Sequence, residues 1–205
     1  MTSHCSGPTV GFDLDLTLID ARPGIVRMFD LLNDEYGLSI DGKHFAANLG
    51  PPLPDVLRDY GYDPPLVDSL VARFRELYPS VVIELTNSMP GAEAALDAVR
   101  EVSGRNLVVT GKYEPNAALH LKALEWSVDH LSGDVFAADK GTVLREEGAS
   151  IYVGDHLGDV LGAKAAGATA VGVATGPFDA AALHEAGADV VLHDLTEFPS
   201  WLFAR

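Results

Sequence analysis

The stretch Val10-Gly11-Phe12-Asp13-Leu14-Asp15-Leu16-Thr17 decides how this chain is read. A short apolar run ends abruptly in two carboxylates and a hydroxyl. Val and Phe suit a buried pleated strand, whereas Asp and Thr suit the turn that follows one. That predicts a strand near Thr9–Phe12 with Asp13 and Asp15 at its carboxyl end. Residues two apart in extended backbone share a side, so the two carboxylates fall together. Close carboxylates resist joint ionisation unless a proton or a cation intervenes, and a hard divalent cation such as Mg²⁺, with its preference for oxygen ligands, is one solution. The plainer reading of the same string is a polar turn at a strand end. In open α/β sheets, ligands bind beyond the carboxyl ends of the strands, which is where this string would sit.

Working outward, short β-branched runs predict further strands at Asn106–Val109, Asp134–Ala137, Ser150–Val153, Thr169–Val173 and Val190–Leu192. Helical patterns lie between some of them, at Glu114–Trp126, Gly158–Ala166 and Ala180–Ala186. Alternation of this kind predicts an α/β fold, a doubly wound parallel sheet with a Rossmann-like core. Residues 21–88 read differently. Val26, Phe29, Leu31 and Leu32, then Leu66, Leu70, Phe74 and Leu77, recur at helical spacing, prolines punctuate the segment, and its one candidate strand is a weak Val81–Leu85. The expected organisation is therefore a core of residues 1–20 and 89–205 with a mostly helical insertion, 21–88, after the first strand. Hinges are expected near Asp20–Gly24 and Ser88–Gly91, where Pro and Gly occur together.

Three more segments carry candidate chemistry. Gly154-Asp155-His156-Leu157-Gly158-Asp159 follows another apolar run, which puts Asp155 at a strand tip and Asp159 in the first turn of a helix, where negative charge suits the dipole. Its structural alternative is a helix cap. Leu107-Val108-Val109-Thr110-Gly111 ends a strand in a hydroxyl and a flexible backbone, groups that can donate to a phosphate or carboxylate oxygen. Lys140 follows the apolar run near Ala138, and with only five lysines in the chain it is a candidate phosphate ligand or counter-charge for the acids. Lys112, two residues past Thr110, is its rival.

Composition bounds the function. The chain has 205 residues, 30 Asp+Glu against 14 Lys+Arg, and a net charge of −16. An apolar fraction of 47% is ample for a core. The acidity argues against nucleic acid, which needs a basic face, and against anionic membrane. No apolar run approaches the roughly 18 residues of a spanning helix, and the first residues show no signal-peptide pattern, so a cytoplasmic protein is expected. The single cysteine, Cys5, allows no intrachain disulfide and is expected to be a spectator thiol in a mobile tail.

Taken in order, Asp-Leu-Asp-Leu-Thr, Val-Val-Thr-Gly, Lys140 and Gly-Asp-His-Leu-Gly-Asp resemble the haloacid dehalogenase superfamily of phosphohydrolases, over about residues 9 to 195. The helical insertion resembles that superfamily's cap. Leu49-Gly50-Pro51-Pro52-Leu53 and Met89-Pro90-Gly91 resemble the phosphoglycolate phosphatase-like branch. The resemblance implies an Mg²⁺-dependent phosphatase of a small phosphorylated metabolite, possessing a phospho-aspartyl intermediate. Asp13 would be the nucleophile and Asp15 the general acid and base. Asp13, Asp155 and the backbone carbonyl of Asp15 would hold the metal. Thr110, Gly111 and Lys140 would bind the phosphoryl group, and Asp159 would orient Lys140 or a water at the metal. Arg22 or Arg58 is a candidate partner for a substrate carboxylate, with a surface salt bridge as the alternative for each. Three positions depart from the family pattern: Leu16 where Gly is usual, His156 in place of a small hydroxyl residue, and Gly141 rather than Pro after Lys140. Alternatives to the phosphatase are a sugar-phosphate mutase on the same fold and, in another class, a phospho-accepting receiver domain, for which the chain is too long. Either a monomer or a homodimer is compatible with the sequence.

Overall fold

The computed structural model describes residues 7–205; Cys5 and its expected role lie outside the described residues. In chain order the elements are β1 (Thr9–Phe12), β2 (Ile19–Asp20), α1 (Arg22–Tyr36), α2 (Gly42–Ala47), α3 (Leu53–Asp59), α4 (Pro64–Val81), β3 (Asn87–Ser88), α5 (Ala92–Glu101), β4 (Arg105–Val109), α6 (Glu114–Ala123), β5 (His130–Ser132), α7 (Lys140–Glu146), β6 (Ile151–Gly154), α8 (Leu157–Ala166), β7 (Thr169–Val173), α9 (Ala180–Glu185), β8 (Val190–Leu192) and α10 (Phe198–Phe203).

Six strands form one parallel sheet in the order β5-β4-β1-β6-β7-β8. β1 is interior, and its neighbours on both sides come from far along the chain. Phe12 is level with Val108 of β4 and with Val153 of β6. One or two residues further on, three strand ends therefore come together. The order also reverses direction at β1, with β4 and β5 on one side and β6 to β8 on the other, which is the switch point where α/β sheets open a crevice.

Both faces of the sheet are covered, as parallel strands require. Leu107, Val109 and Tyr152 pack on one face with Leu144, Val160 and Ala163. Val10, Phe12, Val108 and Val153 pack on the other with Leu96, Val99 and Phe198. Gly11 permits a close approach: a Cβ there would lie 2.8 Å from the Tyr152 ring, so this glycine leaves room for Tyr152 to lie across β1.

The predicted strand at Asp134–Ala137 is not formed. The strand is His130–Ser132, half-buried at the sheet edge and less apolar than the run after it. Asp134 and Ala137 both have positive φ, 56° and 50°, which turns the chain away into a short 3₁₀ turn at Ala137–Asp139. The apolar Val135 and Phe136 are packed in a loop rather than paired: Val135 joins the core beside Leu107, and Phe136 meets His156. Val81–Leu85 is likewise not a strand. Val82 N–H still donates to Tyr78 carbonyl, and a 3₁₀ turn follows at Ile83–Leu85. The helix predicted to run to Trp126 ends at Ala123, with Glu125 at φ 57°.

Residues 21–88 hold α1 to α4 and no strand of the large sheet. Phe29, Phe45, Phe74 and Tyr78 form a chain of ring contacts at 4.5 to 6.0 Å between centroids. The chain enters and leaves this helical region through a two-stranded antiparallel ribbon, β2 with β3, pairing Ile19 with Ser88 and Asp20 with Asn87. The positions expected as hinges flank this ribbon.

Candidate functional site

Asp13 follows β1 directly, and its N–H donates to the Val153 carbonyl at 2.8 Å, which fixes it against β6. Asp155 follows β6, and Thr110 follows β4. All three are buried. Two lysines reach the acids from opposite sides. Lys140, the first residue of α7, donates from Nζ to Asp13 Oδ1 at 2.9 Å, to Asp159 Oδ1 at 2.6 Å and to the Tyr152 hydroxyl at 2.9 Å. Lys112 lies 2.8 Å from Asp15 Oδ2 and donates to the Tyr78 hydroxyl at 2.8 Å. Asp13 and Asp15 thus have separate counter-charges, and Lys140 and Lys112 are complementary rather than competing candidates.

Tyr152 O–H donates on to the Val109 carbonyl at 2.5 Å, so the Lys140 ammonium is held from below by a group itself tied to β4. Burial alone would strip the proton from Lys140, but the charges of Asp13 and Asp159 outweigh it and hold its pKa well above the ordinary lysine value. Lys112 follows the same logic. Burial disfavours its charge, Asp15 restores it, and the net direction is upward. Burial is also the chief cause that raises Asp15, opposed by Lys112 and assisted by the charge of Asp13.

Asp155 accepts from Thr17 Oγ1 at 2.8 Å on Oδ1. Its Oδ2 is buried with no partner among the described residues. Burial pushes its carboxyl well above the usual range, with Asp159 and Asp13 adding to the effect, and Asp159 is pushed up to about 6, again chiefly by burial. Oxygen atoms of Asp13, Asp155 and Asp159 all lie within 4.8 Å of one another. Gly176 closes the far side. A Cβ there would fall 1.8 Å from Asp155 Oδ2, so only glycine leaves room beside that buried oxygen. An orphaned carboxylate oxygen beside two further carboxylates is a donor set for a hard cation, and Mg²⁺ suits it.

The three departures noted in the sequence have local explanations. Leu16 sits at φ 59°, the left-handed region that glycine adopts freely, so the turn itself is kept. The buried side chain and two bonds hold it there: Leu16 N–H to the Ile19 carbonyl at 2.8 Å, and Thr175 Oγ1 to the Leu16 carbonyl at 2.6 Å. His156 caps α8. Its Nδ1 accepts from Gly158 N–H at 2.9 Å while Asp159 Oδ2 accepts from the His156 N–H at 3.0 Å, a reciprocal capping box. Asp159 therefore anchors α8 with one oxygen and Lys140 with the other. At Gly141 a Cβ would lie 2.6 Å from the Ala165 Cβ, so close packing of α7 on α8 sets the residue after Lys140.

The loop Leu49–Leu53 of the helical region lies on the strand ends. A Cβ on Gly111 would fall 2.4 Å from the Gly50 carbonyl. Between them is a cleft of about 140 Å³ bounded by Asp15, Gly111 and Lys112 on one side and by Phe45, Leu53 and Phe74 on the other. Of the proposed carboxylate readers, Arg22 is engaged by Asp20 through two bonds of 2.8 and 2.7 Å, and Arg58 by Asp55 at 2.6 Å. Neither lines the cleft. The hydroxyl of Thr17, the last residue of the opening motif, serves Asp155, whereas sequence reasoning did not find Tyr78, His120 or Tyr152. Tyr78 O–H and His120 Nε2 are 2.8 Å apart, and burial, followed by the charge of Lys112, lowers the His120 pKa to about 3. None of these three belongs to a local motif. Each acts by reaching a distant segment, and no spacing in the sequence signals that.

The model of the haloacid dehalogenase-like hydrolase family matches residues 10–131, and a second model of the same kind matches residues 114–198. The chain belongs to the haloacid dehalogenase-like hydrolases. Within them its similarity is to the phosphoglycolate phosphatase-like branch. A plasmid-borne phosphoglycolate phosphatase of Cupriavidus necator is 32% identical, over 93% of this chain and 90% of that one. A phosphoglycolate phosphatase of Agrobacterium fabrum is 28% identical over 100% and 96%. The fold is shared with a haloacid dehalogenase-like hydrolase from Streptococcus pneumoniae, with a TM-score of 0.80 at 24% identity, covering 97% of this chain and 99% of that one. A hydrolase from Pseudomonas syringae has a TM-score of 0.80 at 21% identity, over 97% and 98%. Among the described residues no helix is long and apolar enough to cross a membrane.

Proposed function

We propose that this phosphatase is Mg²⁺-dependent and hydrolyses a small phosphate monoester through a phospho-aspartyl intermediate, with phosphoglycolate as the candidate substrate. The observation that carries the reading is the convergence of Asp13, Asp155 and Asp159, with Asp13 and Asp159 bonded to the Lys140 ammonium and Asp155 Oδ2 left without a partner. The names of the sequence relatives support phosphoglycolate.

Asp13 is the nucleophile. Lys140 holds Oδ1 at 2.9 Å, which leaves the second oxygen to attack phosphorus as the bond to the leaving oxygen breaks. Asp15 gives its proton to the departing alcohol, and burial, which raises its pKa, favours the protonated form this step needs. Asp15 then takes a proton from a water that attacks the acyl phosphate. The bond between phosphorus and Asp13 breaks, inorganic phosphate leaves, and Asp13 is again a carboxylate. Thr110 is set to donate to a phosphoryl oxygen, because its hydroxyl oxygen already accepts from Lys112 N–H at 3.3 Å. The Gly111 N–H makes no backbone hydrogen bond among the described residues and is a second donor. Asp13, Asp155 and the backbone carbonyl of Asp15 would hold Mg²⁺. When bound, the ion supplies positive charge that screens the carboxylates from the anionic ester and stabilises the charge developing on transfer. Asp159 positions Lys140. Residues 1–20 and 89–205 serve as the catalytic core, and 21–88 serve as a cap that excludes water and selects the leaving group.

The test is phosphate release from a panel of metabolite phosphates, phosphoglycolate included, with Mg²⁺ and with excess chelator. Activity is expected with Mg²⁺, and Asp13→Asn is expected to lower kcat by about a thousandfold or more. Undiminished turnover in that variant or in chelator would sink the reading.

A further inference from the structure

Two cations line the cleft between the strand ends and the helical region, and only one of them is engaged. Lys112 is buried, paired with Asp15 at 2.8 Å and bonded to Tyr78. Arg75, on α4, is exposed and lines the same cleft. Its guanidinium carbon lies 3.7 Å from the centre of the Tyr113 ring, a cation–π contact that leaves the N–H groups unspent. Among the described residues Arg75 has neither an ion pair nor a hydrogen bond. Its neighbour on the helix, Arg73, is held by Glu35 at 2.9 Å and Glu76 at 2.8 Å, facing away from the cleft lining. The other carboxylate of the cleft, Asp134, accepts from the Glu114 N–H at 3.2 Å.

The geometry points to Arg75 as the residue that reads the leaving group, by pairing with a carboxylate on the alcohol that the phosphate esterifies. This rests on the phosphatase reading above. Arginine presents a planar fork of donors that matches a carboxylate with two parallel hydrogen bonds. Stacking on Tyr113, which precedes α6 in the core, fixes the fork between the two regions without consuming its donors. Much of the remaining wall is apolar, including Phe45, Leu53 and Phe74, and its other polar groups, Asn116 and the carboxylate of Asp134, carry no positive charge. A carboxylate entering there finds no other free cation, in a chain whose net charge of −16 repels it elsewhere. The residues singled out from sequence for this task, Arg22 and Arg58, are already spent on Asp20 and Asp55. Arg75 is thus a specificity residue of the cleft rather than a member of the phosphoryl-transfer set.

The test compares kcat and KM for phosphoglycolate and for ethyl phosphate, which has the same chain length and no carboxylate, in wild type, Arg75→Met, Arg75→Lys and the control Arg58→Met. The preference in kcat/KM for phosphoglycolate over ethyl phosphate is expected to fall about tenfold or more in Arg75→Met, mainly through KM. Arg75→Lys should restore part of it, since a lysine keeps the charge and loses the fork. Arg58→Met should keep the wild-type preference. An unchanged preference in Arg75→Met, or an equal fall in Arg58→Met, would overturn the inference while leaving the phosphatase reading intact. No phosphate release from any ester by the wild type would overturn both.

Discussion

The carboxyl edge of the sheet and the helical region above it are built from opposite materials. Tyrosine hydroxyls aside, the buried polar or charged side chains among the described residues all lie outside 21–88: Asp13, Asp15, Thr17, Asn106, Thr110, Asn116, His120, Lys140, Asp155 and Asp159. Inside 21–88 the buried set is apolar, centred on Phe29, Phe45, Phe74 and Tyr78. Buried charge is costly unless paired, and here it is concentrated in the paired set at the strand ends. The helical region lies over the strand ends and brings to the cleft one hydroxyl, Tyr78, and one guanidinium, Arg75. On the proposed function, the difference assigns chemistry and selection to separate parts of the chain. Substitutions in the two regions should therefore fail in different ways.

The largest contrast is expected between Lys140→Met and Phe74→Ala. Removing Lys140 leaves Asp13 and Asp159 buried without their shared counter-charge. It is predicted to lower kcat at least about a hundredfold and to cost about 3–5 kcal/mol of stability, read by steady-state kinetics and by denaturant unfolding. Phe74→Ala opens a cavity among the rings of the helical region. It is predicted to cost about 3 kcal/mol or more and to raise KM more than it lowers kcat, because the phosphoryl-transfer groups are untouched. If Phe74→Ala lowered kcat as far as Lys140→Met does, the separation of the two regions would be broken.

Tyr78→Phe sharpens the comparison where a side chain of the helical region joins a hydrogen-bonded chain of the core. Its hydroxyl lies between Lys112 and His120, at 2.8 Å from each. Burial pushes its pKa up to about 12, so it stays a neutral hydroxyl. Its loss leaves the Lys112 ammonium one partner short and is predicted to cost about 1–2 kcal/mol, seen as a lowered Tm. A wild-type Tm would mean that water replaces the hydroxyl and that the link is dispensable.

The smallest effect is in pH. A carboxyl whose folded pKa exceeds its unfolded value favours the fold at low pH, and that contribution is lost as pH rises through the folded value. Asp159, at about 6, and Asp155, raised well above the usual range, are such groups. Metal-free protein is therefore predicted to lose stability as pH rises through about 6. Mg²⁺ should reverse this, since its ligands must be deprotonated. The gain in Tm on adding Mg²⁺ should be clear near about pH 8 and vanish near about pH 5. An equal gain at both would mean that the ion binds elsewhere.

Much of the sheet edge was legible in the sequence because parallel strands are continuous apolar runs that end where polar residues begin. Thr169–Val173 and Val190–Leu192 are strands with the predicted bounds, and Asp13, Thr110 and Asp155 are placed by such endings. The reading failed where apolar residues are half-buried in a loop beside the sheet, at Val135 and Phe136, and where an edge strand is polar, at His130–Ser132. It also missed the two-stranded ribbon of β2 and β3, whose strands are two residues each and joined only through tertiary structure. Arg75 was missed for a different reason. Arg22, Arg58 and Arg73 each have an acid two or three residues away, which they meet in the fold, and Arg75 has none at helical spacing, but that it stacks on Tyr113 beside the cleft is a tertiary fact.

The central claim is that Asp13 attacks phosphorus, and trapping the covalent enzyme tests it most directly. Wild-type protein mixed with phosphoglycolate and Mg²⁺, quenched in acid within a turnover and digested, should yield one phosphorylated peptide, with the phosphoryl group on Asp13. The adduct should be absent from Asp13→Asn. A phosphoryl group on any other residue, or phosphate release with no adduct at any quench time, would contradict the account.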